Sequence, residues 1–448
     1  MVPGTTLPGE TAAPALGGAV VDCIIGSARP ANAARIAVSA LAPMMALRRK
    51  SRRPAVNVGT APVTGACVDS EAAGDGCSMS FVYRLAADRL RAHGHSVVRT
   101  LMHVEHLRTP TPDEIRTMTT LRDGEVRLGQ RVGIVGPEGQ TPAGTQVVLV
   151  GIPEDIGVRA NLGRAGARRM WRAFLPRFLN MQSNTFLDGA TVAIAGCIDV
   201  RDLNKAAKGI DATVGGPRAR AEALVTLREM VSEIDRRVAS VIEALRRSGV
   251  VPIVIGGGHN NAYGILAGCA RASGQSLGCV NIDLHADLRP CEGRHSGNAF
   301  TYARADGHLD RYAVVGMSEA WATQSIITAI ESDPRTAAFT FESMLRGGVT
   351  PLRMAELAAA HVAGSKATLE LDLDAVAQAP ASAAAASGFS GAEFRSMATM
   401  LANTVQLQAA HIAEGAPGNG AWPTEMLAKL VAELTRDIAT TTLRSPRV

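Results

Sequence analysis

Aromatic residues are scarce in this chain of 448 residues, where Phe, Trp and Tyr make up only 4%. Hydrophobic residues nevertheless account for 46%, so the core must consist mainly of Ala, Val, Leu and Ile, as suits an α/β protein. No apolar run reaches the roughly 18 residues of a membrane-spanning helix. We therefore expect no membrane partner. Internal repeats are absent as well.

Excess positive charge is absent from most of the chain, although the formal net charge is +5. Residues 1–68 contain seven Lys and Arg against two acidic residues, whereas the other 380 residues contain 39 of each sign. A neutral body lacks the basic patch of a nucleic-acid-binding protein. The acid-free segment 23–68 resembles an organellar transit peptide, and a disordered extension is the alternative.

Paired cysteines are also missing, because the seven cysteines form no C-x-x-C motif. An odd number of scattered thiols in apolar segments is typical of a reducing compartment. We therefore expect the cytoplasm or the mitochondrial matrix and not secretion. Cys279 lies in a predicted strand, where packing explains it, and Cys291 has no assigned helper residue for nucleophilic chemistry.

Apolar strands alternate with helices from about residue 145 onward. Most of these strands are apolar throughout, which indicates burial on both faces and a mostly parallel sheet. The predicted fold is a three-layer α-β-α arrangement around about eight strands. The strands are predicted at 146–152, 191–196, 250–255, 277–283, 312–316, 337–341, 367–372 and 405–412. Long helices are predicted at 218–247, where Gly249 ends the apolar spacing of three and four, and at 424–438.

Polar side chains follow several of these strands at the point where each strand ends. Asp283, His285 and Asp287 alternate along an extended segment, so they point to one side. Such a group repels itself unless a cation lies among its members. A second acidic element, Glu370 to Asp374, ends another strand. Since ligands of open α/β sheets bind at the carboxyl ends of strands, we expect one shared site with two divalent metal ions.

The glycine-rich turn at 256–258 precedes His259 and does not fit a dinucleotide-binding loop. The G-x-G-x-x-G pattern would need glycine at position 261, where the chain has Asn261. We interpret the glycines as a turn that brings the imidazole into the site. Glu414 follows the last predicted strand and is the fourth polar position of this kind.

Together these motifs resemble the ureohydrolase superfamily, which includes arginase, agmatinase and formimidoylglutamase. The resemblance covers about residues 145–440 and rests on the order of G-G-G-H, N-I-D-L-H-A-D-L-R-P, H-S-G, E-L-D-L-D and H-I-A-E-G-A-P. It implies an arginase-like catalytic domain at 109–448 after an extension at 1–108, which is partly disordered and a possible transit peptide. It also implies a homo-oligomer, either a trimer or a hexamer.

The resemblance implies two Mn²⁺ ions per subunit. The first would be bound by His259, Asp283, Asp287 and Asp372, and the second by Asp283, His285, Asp372 and Asp374. Carboxylate and imidazole ligands suit Mn²⁺, whereas the lack of thiolates disfavours a structural zinc site. Two such ions would activate a shared water over the planar carbon of an amidine or guanidine.

Three residues take catalytic roles by the same resemblance. Asp287 would pass a proton to the leaving amine, and His295 would relay it to solvent. Glu414 would bind the amidinium or guanidinium edge through paired hydrogen bonds. The alternatives are a surface-loop histidine at His295 and a solvated strand-end acid at Glu414.

Details of the motifs favour the formimidoylglutamase branch. Gly258 stands where arginases and agmatinases resemble each other in having Asp, and Arg289 matches the D-L-R-P run of formimidoylglutamases. Arg289 could receive a substrate carboxylate bidentately, or it could pair with Glu292. Asn298 is a further candidate for substrate binding.

Three hypotheses for the function remain open. The first is hydrolysis of N-formimidoyl-L-glutamate to glutamate and formamide. The second is the same chemistry on a guanidino compound such as agmatine, arginine, a guanidino acid or guanidine. The third is a non-catalytic scaffold, which the presence of all six ligands disfavours. The segment 375–390 lacks the Asp-Pro common in the family, and Asn260 follows His259 where an acid or Ser is usual, so the substrate is not fixed by the motifs.

Overall fold

The computed structural model describes residues 104–444, and the part of the predicted extension before residue 104 lies outside them. Within this range ten strands form one sheet. The strands are β1 (Leu107–Arg108), β2 (Gly133–Ile134), β3 (Val147–Gly151), β4 (Val192–Ile198), β5 (Val251–Ile255), β6 (Leu277–Ile282), β7 (Leu309–Met317), β8 (Thr336–Thr340), β9 (Lys366–Asp372) and β10 (Gln406–Ala413). Their order is β1-β4-β3-β5-β10-β9-β6-β7-β8, with β2 also beside β4.

Strand pairing is parallel throughout the described sheet except for β1, which runs antiparallel to β4. The eight predicted strands are all present. The two additional strands, β1 and β2, have two residues each, too few to show any hydrophobic periodicity. Since β1 belongs to the sheet, the folded part reaches back before the predicted boundary at residue 109.

Helices cover both faces of the sheet and confirm the predicted three layers. The helices are α1 (Pro112–Met118), α2 (Ile156–Ala160), α3 (Met170–Leu179), α4 (Arg201–Ala206), α5 (Pro217–Arg247), α6 (Asn261–Ser273), α7 (Ala299–Ala305), α8 (Gln324–Ser332), α9 (Phe341–Leu345), α10 (Pro351–His361), α11 (Gly391–Thr404) and α12 (Thr424–Arg444). One core lies between the sheet and α3, α10, α11 and α12. The other lies under α2, α5, α6 and α7.

Alternate residues of β3 show how one strand serves both cores. Val147 and Leu149 belong to the first core, whereas Val148 and Val150 belong to the second. All four are fully buried, which is why the strand is apolar throughout rather than alternating. None of the described helices is long and apolar enough to cross a membrane.

Four central strands determine where the functional residues meet. The strands β5, β10, β9 and β6 are consecutive neighbours in the sheet. They run parallel, so their carboxyl ends lie at the same edge. The segments after these ends contain His259, Glu414, Asp374 and Asp283, and the shared site predicted from the sequence follows from this order.

Candidate metal centre and active site

His259 enters the centre from the turn after β5. Gly256 and Gly257 have φ angles of 83° and 79°, a left-handed conformation that glycine adopts without steric cost. The buried carboxylate of Glu154 accepts hydrogen bonds from the Gly258 N–H at 2.9 Å and the Asn261 side chain at 2.6 Å. These contacts hold the turn, so the direction of the imidazole is fixed by backbone geometry.

Three carboxylates converge on one nitrogen of this imidazole. The Nδ1 atom of His259 lies 3.2 Å from Asp283 Oδ2, 3.0 Å from Asp287 Oδ2 and 3.1 Å from Asp372 Oδ2. It has no hydrogen-bond partner of good geometry among the described residues. Ligand atoms at right angles around an ion at about 2.1 Å are about 3 Å apart, so these four residues fit a divalent metal ion.

A second group of ligand atoms lies beside the first. The Nδ1 atom of His285 is 3.0 Å from Asp374 Oδ2 and 3.5 Å from Asp283 Oδ1. Asp374 Oδ1 is buried without a hydrogen-bond partner within the described part of the chain. These three residues can hold a second ion, and the combination of carboxylate oxygen and imidazole nitrogen suits Mn²⁺.

Asp283 joins the two groups through its two oxygens. Oδ2 faces His259, and Oδ1 faces His285. Asp372 lies in the first group only, while its Oδ1 accepts a hydrogen bond from the Asp374 N–H at 2.8 Å. The predicted contribution of Asp372 to the second ion therefore stays a prediction.

Carboxyl groups outnumber imidazoles in this largely buried centre. Burial raises the pKa of Asp374 to about 6 and the pKa of Glu414 to about 8, because the ionised carboxylate loses its hydration. Burial, together with repulsion from Asp374 and Asp283, also raises the pKa of Asp372. A pair of divalent cations would relieve this repulsion and favour the ionised carboxylates.

Two ligands mark the open side of the centre. The side chain of His285 is 37% exposed and that of Asp287 is 12% exposed, whereas His259 and Asp283 are inaccessible. Asp287 also has a φ angle of 48°, a left-handed conformation that aspartate tolerates better than most residues. A substrate can therefore reach the centre past His285 and Asp287.

Glu414 lies at the inner wall of the site. It is 3% exposed and has a φ angle of 62°, which is unusual for a residue with a long side chain. Its Oε1 accepts a hydrogen bond from the His259 N–H at 2.7 Å. Its Oε2 is buried and makes no hydrogen bond of good geometry among the described residues. The Ser382 side chain lies close enough to lower the pKa of Glu414 against the larger effect of burial, and this weak contact leaves the oxygen available to a bound ligand.

Arg289 lies at the exposed rim, two residues after Asp287. Its Nη1 donates to Asn161 Oδ1 at 3.2 Å, and Asn161 Nδ2 donates to Ser296 Oγ at 3.2 Å. The alternative pairing of Arg289 with Glu292 is not found, because Glu292 contacts His295 and Arg228.

His295 is buried, unlike the surface histidine that was its alternative. Its Nδ1 accepts a hydrogen bond from the Gly297 N–H at 3.1 Å, so Nε2 carries the proton in the neutral ring and donates to Glu292 at 3.0 Å. Burial lowers its pKa to about 4. The imidazole is therefore neutral at neutral pH. Among the described residues, the partly exposed Glu292 is the side chain that its Nε2 contacts.

The contacts of Asn298 all lie within its own loop. Its Oδ1 accepts from the Arg294 guanidinium and the His295 N–H, and its Nδ2 donates to the carbonyls of Pro290 and Gly293. Both amide hydrogens are thus used. These contacts support a loop-positioning role for Asn298, and the substrate contact predicted from the sequence stays a prediction.

Two buried residues lie near the centre, and the sequence pointed to only one of them, Glu370, as part of the acidic element that ends its strand. Glu370 and His411 lie on β9 and β10 and are fully buried. Together with His259 they form a third cluster of ligand-type side chains. Both stand in motifs already singled out, E-L-D-L-D and H-I-A-E-G-A-P, and the two-residue period of a strand places Glu370 on the same side as Asp372. That period was the available signal.

Comparison with known proteins agrees with this geometry. The sequence model of the Arginase family matches residues 145–439, well over half of the chain. The chain belongs to the arginase family. The resemblance to the ureohydrolase superfamily is therefore confirmed, and the matched range begins just before β3 and ends within α12.

Curated relatives of this arginase-family protein include several formimidoylglutamases, in agreement with the predicted branch. The enzyme of Nocardia farcinica is 29% identical over 228 residues, which are 49% of this chain and 58% of the relative. That of Aromatoleum aromaticum is 34% identical over 210 residues, which are 45% of this chain and 54% of the relative. The chain thus matches little more than half the length of these relatives.

Solved structures of the family share the fold. The formiminoglutamase of Trypanosoma cruzi with Mn²⁺ matches with a TM-score of 0.57 and 20% identity, covering 72% of this chain and all of that one. A hypothetical agmatinase from Burkholderia thailandensis matches with a TM-score of 0.52 and 20% identity, covering 66% and 86% of the two chains. These similarities establish an arginase-like fold.

Proposed function

We propose that this protein is a dimanganese hydrolase that cleaves the C–N bond of a linear amidine. The proposed substrate is N-formimidoyl-L-glutamate, which water converts to L-glutamate and formamide. The observation that carries the proposal is the convergence of two imidazoles and four aspartates on adjacent points, with the unpaired oxygen of Glu414 beside them. A structural role for so many buried acids would leave their repulsion uncompensated.

The six ligands would hold two Mn²⁺ ions, which supply an activated water and a Lewis acid when bound. His259 and Asp283 are inaccessible to solvent, so they keep the inner part of the centre dry. His285 and Asp287 line its open side. The protein thus provides a rigid inner wall and an accessible outer wall around the reacting carbon.

Glu414 is suited to orient the cationic amidinium group. Its Oε2 can accept one N–H of the substrate, and Oε1 keeps its bond to the His259 backbone. This bond fixes the carboxylate relative to the first ligand, so the bound amidinium is oriented toward the metal centre. A bound cation favours the ionised form of Glu414 against the effect of burial.

Asp287 is the residue best placed to move a proton. Its Oδ2 lies 3.0 Å from His259 Nδ1, and its side chain is partly exposed on the open side of the centre. It can therefore accept a proton from the attacking water and deliver it to the departing nitrogen. A proton relayed further through His295 would reach solvent by way of Glu292, whose side chain is 44% exposed.

Arg289 supports formimidoylglutamate rather than agmatine as the substrate. Its guanidinium is exposed at the rim and steadied by Asn161, and two carboxylates of formimidoylglutamate need a cationic partner there. Agmatine has a cationic far end, which this arginine would repel. The names of the curated relatives support the same choice.

A substrate panel tests the proposal. The protein is loaded with Mn²⁺ and incubated separately with formimidoylglutamate, agmatine, arginine and guanidinobutyrate, and formamide and urea are measured by NMR. We expect formamide from the first compound only. Urea from a guanidino compound would keep the chemistry and replace the substrate. No product from any compound, with two ions bound, would support the non-catalytic scaffold.

A further inference from the structure

A buried acid–imidazole pair lies directly behind the proposed metal centre. Glu370 on β9 and His411 on β10 are register neighbours in the parallel sheet. His411 Nδ1 is 2.8 Å from Glu370 Oε2, and His411 Nε2 is 3.2 Å from the Gly256 carbonyl oxygen. Both side chains are inaccessible to solvent, so the pair belongs to the interior of the sheet.

The hydrogen-bond partners limit where the protons of this pair can be. A carbonyl oxygen only accepts, so His411 Nε2 must donate to Gly256. The remaining proton lies between His411 Nδ1 and Glu370, and either position leaves the two residues neutral as a pair. They therefore add a buried carboxylate oxygen beside the centre without adding net negative charge to it.

That oxygen faces the back of the first metal ligand. Glu370 Oε2 is 3.5 Å from His259 Nε2, on the opposite side of the ring from the three aspartates, and the two atoms form no hydrogen bond of good geometry. The Phe300 ring packs edge-to-face against the same imidazole, with 5.5 Å between the two ring centroids. Nδ1 can ligate a metal only when the ring proton is on Nε2, and a carboxylate behind Nε2 favours that tautomer.

We propose that Glu370 and His411 act together as a positioning pair for His259. Glu370 orients the ring and keeps its proton on Nε2, and His411 neutralises Glu370 and fixes it against the Gly256 carbonyl. The pair thereby links the turn after β5 to the ends of β9 and β10. This inference rests on the proposed metal centre and is independent of the substrate.

Equilibrium binding of Mn²⁺ to chelator-treated protein tests the pair, with free Mn²⁺ measured by electron paramagnetic resonance. The double variant E370L/H411L replaces a buried polar pair by apolar residues, an exchange that folded proteins often tolerate. We expect its affinity for the tighter ion to fall by about 10- to 100-fold, the usual effect of losing an outer partner of a ligating histidine. The melting temperature of the metal-free protein should change little.

Glu370→Gln is the rescue variant. Its amide oxygen can lie behind His259 Nε2 as the carboxylate does, and its amide hydrogens can bind a neutral His411, so most of the affinity should remain. Thr368→Val is the matched control, because Thr368 is a buried residue two positions earlier on β9. It should bind Mn²⁺ like the unchanged protein.

Several outcomes would overturn the proposal. One is wild-type affinity in E370L/H411L. Another is the binding of a third equivalent of Mn²⁺ by the unchanged protein and its loss in the double variant. The cluster of His259, Glu370 and His411 would then be a metal site itself. Should the double variant not fold, Glu370→Asp retracts the carboxylate from His259 and decides by the same measurement. Fewer than two ions on the unchanged protein would instead contradict the proposed function.

Discussion

At the scale of the residue, a single aspartate would be a ligand of both proposed ions. Asp283 presents one oxygen to each ligand group and is fully buried. We expect Asp283→Ala to lose both Mn²⁺ ions, because each ion would lose a carboxylate ligand on the buried side of the site. Metal analysis after gel filtration checks this expectation. Asp123→Ala, at an exposed position, is the control, and full occupancy in D283A would contradict the assignment.

Arg289 separates the two enzymatic hypotheses. We expect Arg289→Met to raise KM for formimidoylglutamate about 10- to 150-fold, since a charge-assisted bidentate contact contributes about 1.5–3 kcal/mol. The metal content should not change, because the loss is in substrate binding. Steady-state kinetics on both formimidoylglutamate and agmatine provide the measurement.

The exposed Arg353 on α10 offers a matched control for this substitution. Arg353→Met should leave both KM values unchanged. If Arg289→Met leaves KM for formimidoylglutamate unaltered, the guanidino hypothesis gains support. If it instead lowers KM for agmatine, removal of a like charge explains the change.

At the scale of the element, the turn between β5 and His259 depends on glycine. A Cβ at Gly257 would lie 3.0 Å from the Ile152 carbonyl oxygen and 2.4 Å from Asn261 Nδ2, in a backbone with φ of 79°. A residue with a Cβ costs roughly 1–2 kcal/mol in the left-handed conformation. We expect Gly257→Ala to lower the free energy of unfolding by more than this amount, because the Cβ also meets close neighbours. It should also weaken Mn²⁺ binding, because the turn directs His259.

Gly249 provides the comparison for this variant. Its φ is 88°, and a Cβ there would meet open space, so Gly249→Ala isolates the conformational cost. Urea unfolding and Mn²⁺ titration of both variants give the two quantities. Equal losses of stability with unchanged metal affinity in G257A would show that the turn does not position His259.

The strands were predictable because burial on both faces makes them apolar, as in β3 and β5. Their order was not, since nothing local in the sequence indicates that β10 lies between β5 and β9. Five of the proposed ligands were recognisable from two polar segments at strand ends and His259 from the glycine-rich turn before it, whereas their division between two ions was implied by the family resemblance. The pairing of Glu370 with His411 was not predictable, because the two residues lie on different strands that become neighbours only through the order of the sheet.

At the scale of the whole molecule, metal binding should stabilise the folded chain. A ligand at a free concentration 100 times its Kd adds about 2.7 kcal/mol to the free energy of unfolding. For a domain of about 340 residues, with an unfolding entropy of about 2.1 cal/mol/K per residue, each kcal/mol raises Tm by about 1.4 °C. We therefore expect each Mn²⁺ ion bound at 100 times its Kd to raise Tm by about 4 °C over chelator-treated protein in differential scanning calorimetry.

The Asp283→Ala variant is the control for this measurement, because it should show no such shift. Stabilisation of D283A equal to that of the unchanged protein would mean that Mn²⁺ binds elsewhere. Release of the ions by a chelator should lower Tm reversibly, provided that the unfolded chain does not aggregate.

The position of β10 in the sheet also bears on how the chain folds as it is made. The strand at Gln406–Ala413 inserts between β5 and β9, which are both synthesised earlier. Glu414 follows it directly, so the proposed pocket for the amidinium cannot form until the residues up to Glu414 have left the ribosome. Pairing over such long sequence separations is slow. Acquisition of manganese would therefore mark completed folding, and shortened nascent chains would neither retain the ions nor turn over substrate.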